Sequence, residues 1–520
     1  MTGHDARTDH ENSQISRQEL REATLAGVRW TMLGRLGAEV FTFMSAVALA
    51  RLIEPAEFGR VAVALIVPTI AASLLAQGFG SPIVQRKSLE RAHLEVALLM
   101  SIVAGVLLLI TCLLLVAPVF TPLFGERTSD LIVLTAPVFV LGGLGAVPQA
   151  LLQRRLDFRR LSTIEVVAIL SGAAVAVALA AFAGLAGEAI LLGALVKSAL
   201  SAALMQACTP LIVPRWRRKA FGEIAGFGGP AAAASLVRAG VRNLDYAILA
   251  AKLSAAQVGF YWRAFQFGVE HQRKLTDVMI RVSYPVYSRS ESLDHLHTLR
   301  RRIVRVNAAV ILPLLALFIA VAPTFIPWLL GARWEPAVVP AQILALAGAA
   351  TALNGGTGPL VLASGKPGHL LNYNLAHLAA YAVAVFVAAS YGIVVVAAAV
   401  VVVEAAALVT SWYFLHWRLV GIPMRDLARD AVPAGVSSGA ALLLCLPAMH
   451  MLETRGLTPL LSLPCVGVLG LATYVVVLRL LFRAAWSDLV LLISRVLPRR
   501  KSQSAATGPG ATVGAEQPAS

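Results

Sequence analysis

Apolar runs of about twenty residues recur along the chain, separated by short charged or turn-forming stretches. Val96–Val119, Val166–Ala183 and Ile393–Val409 each have the ~20-residue length that crosses a bilayer core as a helix. Hydrophobic windows predict about fourteen helices, near 27–50, 60–80, 95–118, 131–152, 163–183, 187–211, 225–250, 259–283, 303–330, 337–363, 370–390, 392–415, 431–450 and 457–482. No ~10-residue segments of alternating polarity of the β-barrel kind occur. The fold class expected is an all-α polytopic membrane protein.

One window is ambiguous. Gly259–Arg289 carries Arg263, Glu270, His271, Arg273, Lys274, Asp277 and Arg281. On a helix, Arg263, Glu270, Lys274, Asp277 and Arg281 fall at i, i+7, i+11, i+14 and i+18, a single stripe on an otherwise apolar surface. Such a helix lies on a membrane or crosses it with the stripe facing a wet interior. Loop charges decide between the two. With the N-terminus inside, Arg86, Arg91, Arg154, Arg155, Arg215, Arg217, Arg218, Arg300, Arg301, Arg302, Lys366, Arg418 and Arg425 all lie inside, as the positive-inside rule asks. Removing the eighth helix would put Arg300–Arg302 outside.

The chain also repeats at a period near 200 residues. ALARLIEPAEFGR (48–60) answers ILAAKLSAAQVGF (248–260), aligning Gly59 with Gly259, and FTPLFGER (120–127) answers IPWLLGAR (326–333). PQALLQRRLDF (148–158) answers PLVLASGKPGH (359–369). Two six-helix lobes follow, residues 25–212 and 222–418, running in the same sense and related by an axis along the membrane normal. Residues 431–482 add helices 13 and 14, 484–500 read as an amphipathic helix on the inner surface, and 1–24 and 501–520 as cytoplasmic segments without a core.

Composition sharpens this picture. Of 520 residues, 58% are hydrophobic and 14% charged, against nearly half and a quarter in soluble chains. The net charge of +16 sits in clusters between apolar runs, which points to topology and not to nucleic acid. Cys112, Cys208, Cys445 and Cys465 lie in apolar segments without metal-ligand spacing. Residues 1–22 lack the apolar core of a cleavable signal peptide. No cofactor or metal is expected.

The segment GVRWTMLGRLGAEVFTFMSAVALARLIEPAEFGRVAVA, with Trp30, Ala50, Arg51, Leu52, Pro55, Phe58 and Gly59, resembles the opening of the polysaccharide-biosynthesis flippases, the Wzx-like branch of the MOP exporter superfamily. Asp245 followed by Gly259-Phe260-Tyr261 resembles that family's second-lobe hallmark, and PQALLQRRLDF its helix 4–5 loop. The resemblance covers about residues 25–420. It implies a MOP-type pair of lobes in a bacterial inner membrane, both termini cytoplasmic. The implied substrate is an undecaprenyl-pyrophosphate-linked oligosaccharide, an exopolysaccharide or O-antigen repeat unit, with a polysaccharide polymerase or co-polymerase as partner. Helices 13 and 14 also resemble the lipid II flippase branch.

Charged residues inside apolar helices cost about 2.5–3.5 kcal/mol each on insertion scales, so they ask for a role. Arg35 and Glu39 stand at i, i+4 on helix one; Arg238, Arg242 and Asp245 at i, i+4, i+7 on helix seven. Arg35, Arg238, Arg242, Arg263, Lys274 and Arg281 are the candidate contacts for a pyrophosphate headgroup, since guanidinium forks match phosphate oxygens. Glu39, Asp245, Glu270 and Asp277 are candidate coupling-ion sites or charge partners. The competing reading makes Arg35–Glu39 and Arg242–Asp245 structural ion pairs. Glu404 and Lys197 have no partner legible in the sequence. Rival functions are a lipid II-type flippase, a multidrug/cation antiporter, which predicts an acidic rather than a basic interior, and a membrane glycosyltransferase or polymerase, which requires a larger external domain with paired carboxylates.

Overall fold

The computed structural model describes residues 37–86, 88–276, 293–364 and 367–496. Its helices follow the apolar runs in order. α1 covers 37–52; α2 Pro55–Gln85, α3 Arg91–Phe124, α4 Glu126–Arg154, α5 Phe158–Phe182 and α6 Gly187–Ala207 complete the first lobe. α7 (Arg218–Lys252) opens the second, followed by α8 (255–276), α9 (Leu293–Leu330), α10 (Ala332–Val361), α11 (Pro367–Ala388) and α12 (Ile393–Val420). Then come α13 (Met424–Thr454), α14 (Pro459–Leu481) and α15 (Arg483–Val496). Among the described residues eleven of these are long and apolar enough to cross a membrane. The charged α7 and the described parts of α1 and α8 occupy the other three expected positions.

The lobes join where α2 crosses α8. Gly59 and Gly259, the pair aligned by the repeat, face each other there. A Cβ built on Gly59 would overlap the Ala255 carbonyl, and one on Gly259 the Pro55 carbonyl. In a bilayer, where lipid tails are as apolar as leucine, such close backbone approach supplies the packing that burial alone does not. Phe58, buried beside this crossing, meets Trp262 and Trp334 with centroids 5.9 and 5.3 Å away. Gly125 and Gly331, also repeat-matched, both turn with positive φ (86° and 105°), as only glycine does without strain.

α13 and α14 pack on α9 through a buried carboxylate. Asp430, its side chain 2% exposed, accepts from Arg301 at 3.0 Å and pairs with Arg305 at 3.2 Å. Tyr474 on α14 donates to the Ala309 carbonyl at 3.0 Å. The Arg300–Arg305 cluster, expected as loop charge, is thus part of α9. Arg300 is fully buried; it reaches the carbonyls of Leu353 and Gly355 and donates to His416 Nε2 at 3.0 Å, clamping α9, α10 and α12. The amphipathic helix is present as α15, whose Trp486 and Leu489 pack toward Ala441, Tyr474 and Leu478.

The crossing makes a stability prediction. Gly59→Ala forces the overlap and should cost about 1–3 kcal/mol, the usual penalty of overpacking. Gly435→Ala, where nothing lies within 4 Å, should be neutral or slightly stabilising. Thermal unfolding of the purified variants in one detergent compares the two; equal melting temperatures would contradict the packing argument.

Candidate functional site at the seam between the lobes

On α1, Glu39, Phe43, Ala46 and Ala50 stand at i, i+4, i+7 and i+11, one helical face. Every one of them meets the second lobe. Glu39 Oε2 accepts from Lys274 Nζ of α8 at 2.8 Å. Phe43 stands edge-on to Phe267 and His271, at 6.4 and 6.1 Å. The Ala46 carbonyl accepts from Arg263 Nη2 at 3.3 Å, and the Ala50 carbonyl from the Trp334 indole at 2.9 Å. Arg51, one residue on, donates to the carbonyls of Leu329 and Trp328 at 2.9 and 2.6 Å. Arg263 and Lys274 of the ambiguous window therefore face α1 across the lobe boundary. α8 packs against α2 and α10 inside the bundle and is not a surface helix.

Along this seam the environment changes sharply. Glu39 and Lys274 are about half exposed, with side chains 56% and 48% accessible, so their pairing is weak, on the order of 0.2–1 kcal/mol. Glu270 pairs on its own helix with Arg273 at 3.2 Å. Arg263, by contrast, is 6% exposed. Its guanidinium lies 4.3 Å from the Phe58 ring and 5.5 and 5.7 Å from those of Trp262 and Trp334. It donates to Gln266 Oε1 at 2.9 Å, while its Nε has no hydrogen-bond partner. No carboxylate pairs with Arg263 among the described residues; aromatic faces hold it by cation–π attraction instead.

The repeat maps α1 onto α7 and α2 onto α8, so a second seam, α2–α7, is the counterpart of the first. Its chemistry differs. Gly228 sits so close to the Gly78 carbonyl that a Cβ would overlap it, and Ser235 donates to the Ser73 carbonyl at 3.2 Å. Glu223 closes its end by pairing with Arg86 at 2.5 Å and His93 at 2.8 Å. Among the described residues one seam is thus closed by small residues and a terminal ion-pair cluster, the other by aromatic rings and a half-exposed ion pair.

Asp245 on α7 lies inside the second lobe, 2% exposed. Its Oδ1 accepts from the Tyr246 N–H at 2.9 Å, and its Oδ2 from the hydroxyls of Tyr261 and Tyr381, both at 3.4 Å. Among the described residues it makes no ion pair. The structure therefore brings Glu39 and Lys274 together and places Arg263, Glu270 and Asp245 in three separate settings. Arg35, Asp277 and Arg281 lie outside the described residues. Arg238 and Arg242 belong to α7, but their side chains lie outside the described set. Glu404 does have a partner, His377 on α11 at 3.5 Å.

Several participants were not singled out from the sequence. Phe43, Gln266 and Trp334 are ordinary apolar-helix or loop residues until the lobes are assembled. Gln77, Gln85, Gln149 and Gln153 line a recess of about 200 Å³ between α2 and α4. Their recurrence in otherwise apolar helices was the available signal.

Two like-sensed six-helix lobes meeting at two unlike seams define a two-lobed membrane transporter architecture. Residues 48–339, more than half of the chain, match the family described as polysaccharide biosynthesis protein, and the chain belongs to that family. It is 25% identical over 372 residues, 71% of this chain and 75% of the relative, to lipopolysaccharide biosynthesis protein WzxC of Escherichia coli (strain K12). It is 23% identical over 378 residues, 70% and 76% of the two chains, to teichuronic acid biosynthesis protein TuaB of Bacillus subtilis (strain 168). In fold it is similar to the lipid II flippase MurJ in an inward closed conformation, with TM-score 0.71, 13% identity, and 88% and 99% of the two chains covered.

The seam pair is testable by charge exchange. Lys274→Glu should lower stability by no more than about 1 kcal/mol, and the Glu39→Lys/Lys274→Glu double variant should recover it. A double-mutant cycle by thermal unfolding reads the coupling; a zero coupling energy would mean the two groups do not interact across the lobes.

Proposed function

We propose that this protein is a flippase that carries a polyprenyl-pyrophosphate-linked oligosaccharide, an exopolysaccharide or O-antigen repeat unit, across the bacterial inner membrane by alternating access. The observation that supports this most strongly is the half-exposed Lys274–Glu39 pair between the lobes of a polysaccharide-biosynthesis family chain. A pyrophosphate entering the α1–α8 seam competes with Glu39 for Lys274, so the headgroup replaces a weak lobe-to-lobe contact with a stronger one of its own. The polyprenyl tail stays in lipid throughout. Arg35, Arg238, Arg242 and Arg281 add positive charge to the same path, and Arg263 takes part when the seam opens beside Phe58 and Trp334. Alternating access separates the lobes at the Gly59–Gly259 crossing.

Coupling falls to the carboxylates. Asp245, held by tyrosines and without a direct ion pair among the described residues, is the leading candidate to take up an ion or proton as the second lobe changes shape. Glu39, Glu270 and Asp277 act as charge partners. In this reading both termini and the basic clusters are cytoplasmic, and a polysaccharide polymerase or co-polymerase receives the product. A second reading, lipid II transport, is favoured by the fold likeness to MurJ and by α13–α14 beyond the twelve-helix repeat. An antiporter of cationic drugs is disfavoured by the basic balance of α7 and α8.

A deletion strain should lose surface polysaccharide and accumulate lipid-linked oligosaccharide while staying viable; loss of viability instead would point to lipid II. Complementation with Lys274→Gln or Arg238→Gln, at wild-type membrane levels, should lower export at least about tenfold, the effect of removing one charge-assisted phosphate contact. Unchanged export by both variants would overturn the headgroup assignment.

A further inference from the structure

The two lobes differ in one more respect, in the packing of their fifth and sixth helices. In the first lobe, α5 packs on α6 along Ala168, Gly172, Ala176 and Ala180, all buried. Gly172 and Gly193 are near enough that a Cβ on either would lie 2.5 Å from the other's carbonyl oxygen. The equivalent helices of the second lobe are α11 and α12. Here α11 presents a bulky polar ladder, Tyr373, His377 and Tyr381 at i, i+4 and i+8. Tyr373 donates to the Ala407 carbonyl at 2.5 Å, His377 pairs with Glu404, and Tyr381 reaches Asp245. Side chains of this size hold α11 away from α12 where small residues would let the backbones touch.

A groove of about 700 Å³ lies here, walled among the described residues by α11 and α12. α11 is the least buried of the apolar membrane-length helices among the described residues, so the groove opens outward from the helix pair. Its middle is apolar, with Ala376, Ala380, Val402 and Ala406. Its end is not: His369, Asn372 and Arg418 stand there. Arg418 has one contact among the described residues, the Tyr413 ring at 5.8 Å, and no carboxylate. An apolar trough ending in an uncompensated guanidinium and an amide has the charge distribution of a site for a lipid with an anionic head, as basic pockets between membrane helices on the cytoplasmic side do.

We propose that the α11–α12 groove binds one anionic glycerophospholipid, its acyl chain along Ala376, Ala380, Val402 and Ala406 and its phosphate at Arg418 and Asn372. Among the described residues none of α1, α2, α7 or α8 lines the groove, which distinguishes it from the seam assigned to the transported headgroup, and the occupant proposed is a resident lipid and not the cargo. By filling the space beside the Tyr373–His377–Tyr381 ladder it braces the helix that holds Asp245 from below. Anionic lipid is then a stabilising ligand of the second lobe.

The test is lipid retention by the full-length protein in nanodiscs containing equal phosphatidylglycerol and phosphatidylethanolamine, read by native mass spectrometry. Wild-type protein should keep one phosphatidylglycerol per chain through delipidation. Arg418→Gln should weaken that preference about fivefold, the worth of one basic residue at an anionic surface, and Arg418→Lys should largely keep it. Ala406→Trp, which fills the trough, should abolish retention of either lipid while the protein remains monodisperse. Equal retention by Arg418→Gln and wild type, no preference over phosphatidylethanolamine, or retention of a polyprenyl phosphate in place of the phospholipid would each overturn the proposal.

Discussion

Where α2 crosses α8, two peptide backbones touch because neither Gly59 nor Gly259 has a side chain to keep them apart. In water such a crossing would be one packing detail among many. In a bilayer there is no hydrophobic gain from bringing two apolar helices together, so close van der Waals approach carries the association of the lobes. Everything polar at the interface is arranged around that fulcrum. Beside it sit the enclosed Arg263 and the Phe58–Trp262–Trp334 rings; further along α8, Lys274 meets Glu39 in a much more open setting. Contacts thus run from tight at the crossing to loose at the Lys274–Glu39 pair along one seam.

The repeat explains why there are two seams, and departures from the repeat explain why they are not alike. Symmetry would give α2–α7 the same chemistry as α1–α8. Instead the first is closed by glycine, serine and a Glu223–Arg86–His93 cluster, while the second carries a weak cross-lobe ion pair and a row of aromatics. A strong buried pair would resist separation, because breaking it leaves a charge in low dielectric. A half-exposed pair separates at little cost. Among the described residues the readily parted ion pair between the lobes thus belongs to the α1–α8 seam.

The same divergence shapes the second lobe's interior. Small residues pack α5 onto α6, whereas tyrosine and histidine prop α11 off α12 and lead a ladder of polar groups to Asp245. The second lobe also receives α13 and α14, held to α9 by Asp430 between Arg301 and Arg305. Charge, polar ladder and extra helices all accumulate there, on a first lobe that is mostly close-packed.

Much of this was legible in the sequence. Apolar run length and loop charge depend only on the cost of exposing backbone and charge to lipid, a one-dimensional constraint, so the order of helices and the lobe repeat, with Gly59 matched to Gly259, could be read directly. The stripe on α8 was legible as well, because helical periodicity is local. Partners were not. That Lys274 meets Glu39, that Arg263 is enclosed by rings from α2, α8 and the start of α10, that Glu404 finds His377, and that Arg300 and Arg301 are helix clamps and not loop charges all depend on which helices become neighbours. That choice is made by side-chain size at crossings hundreds of residues apart, and only the assembled tertiary structure decides it.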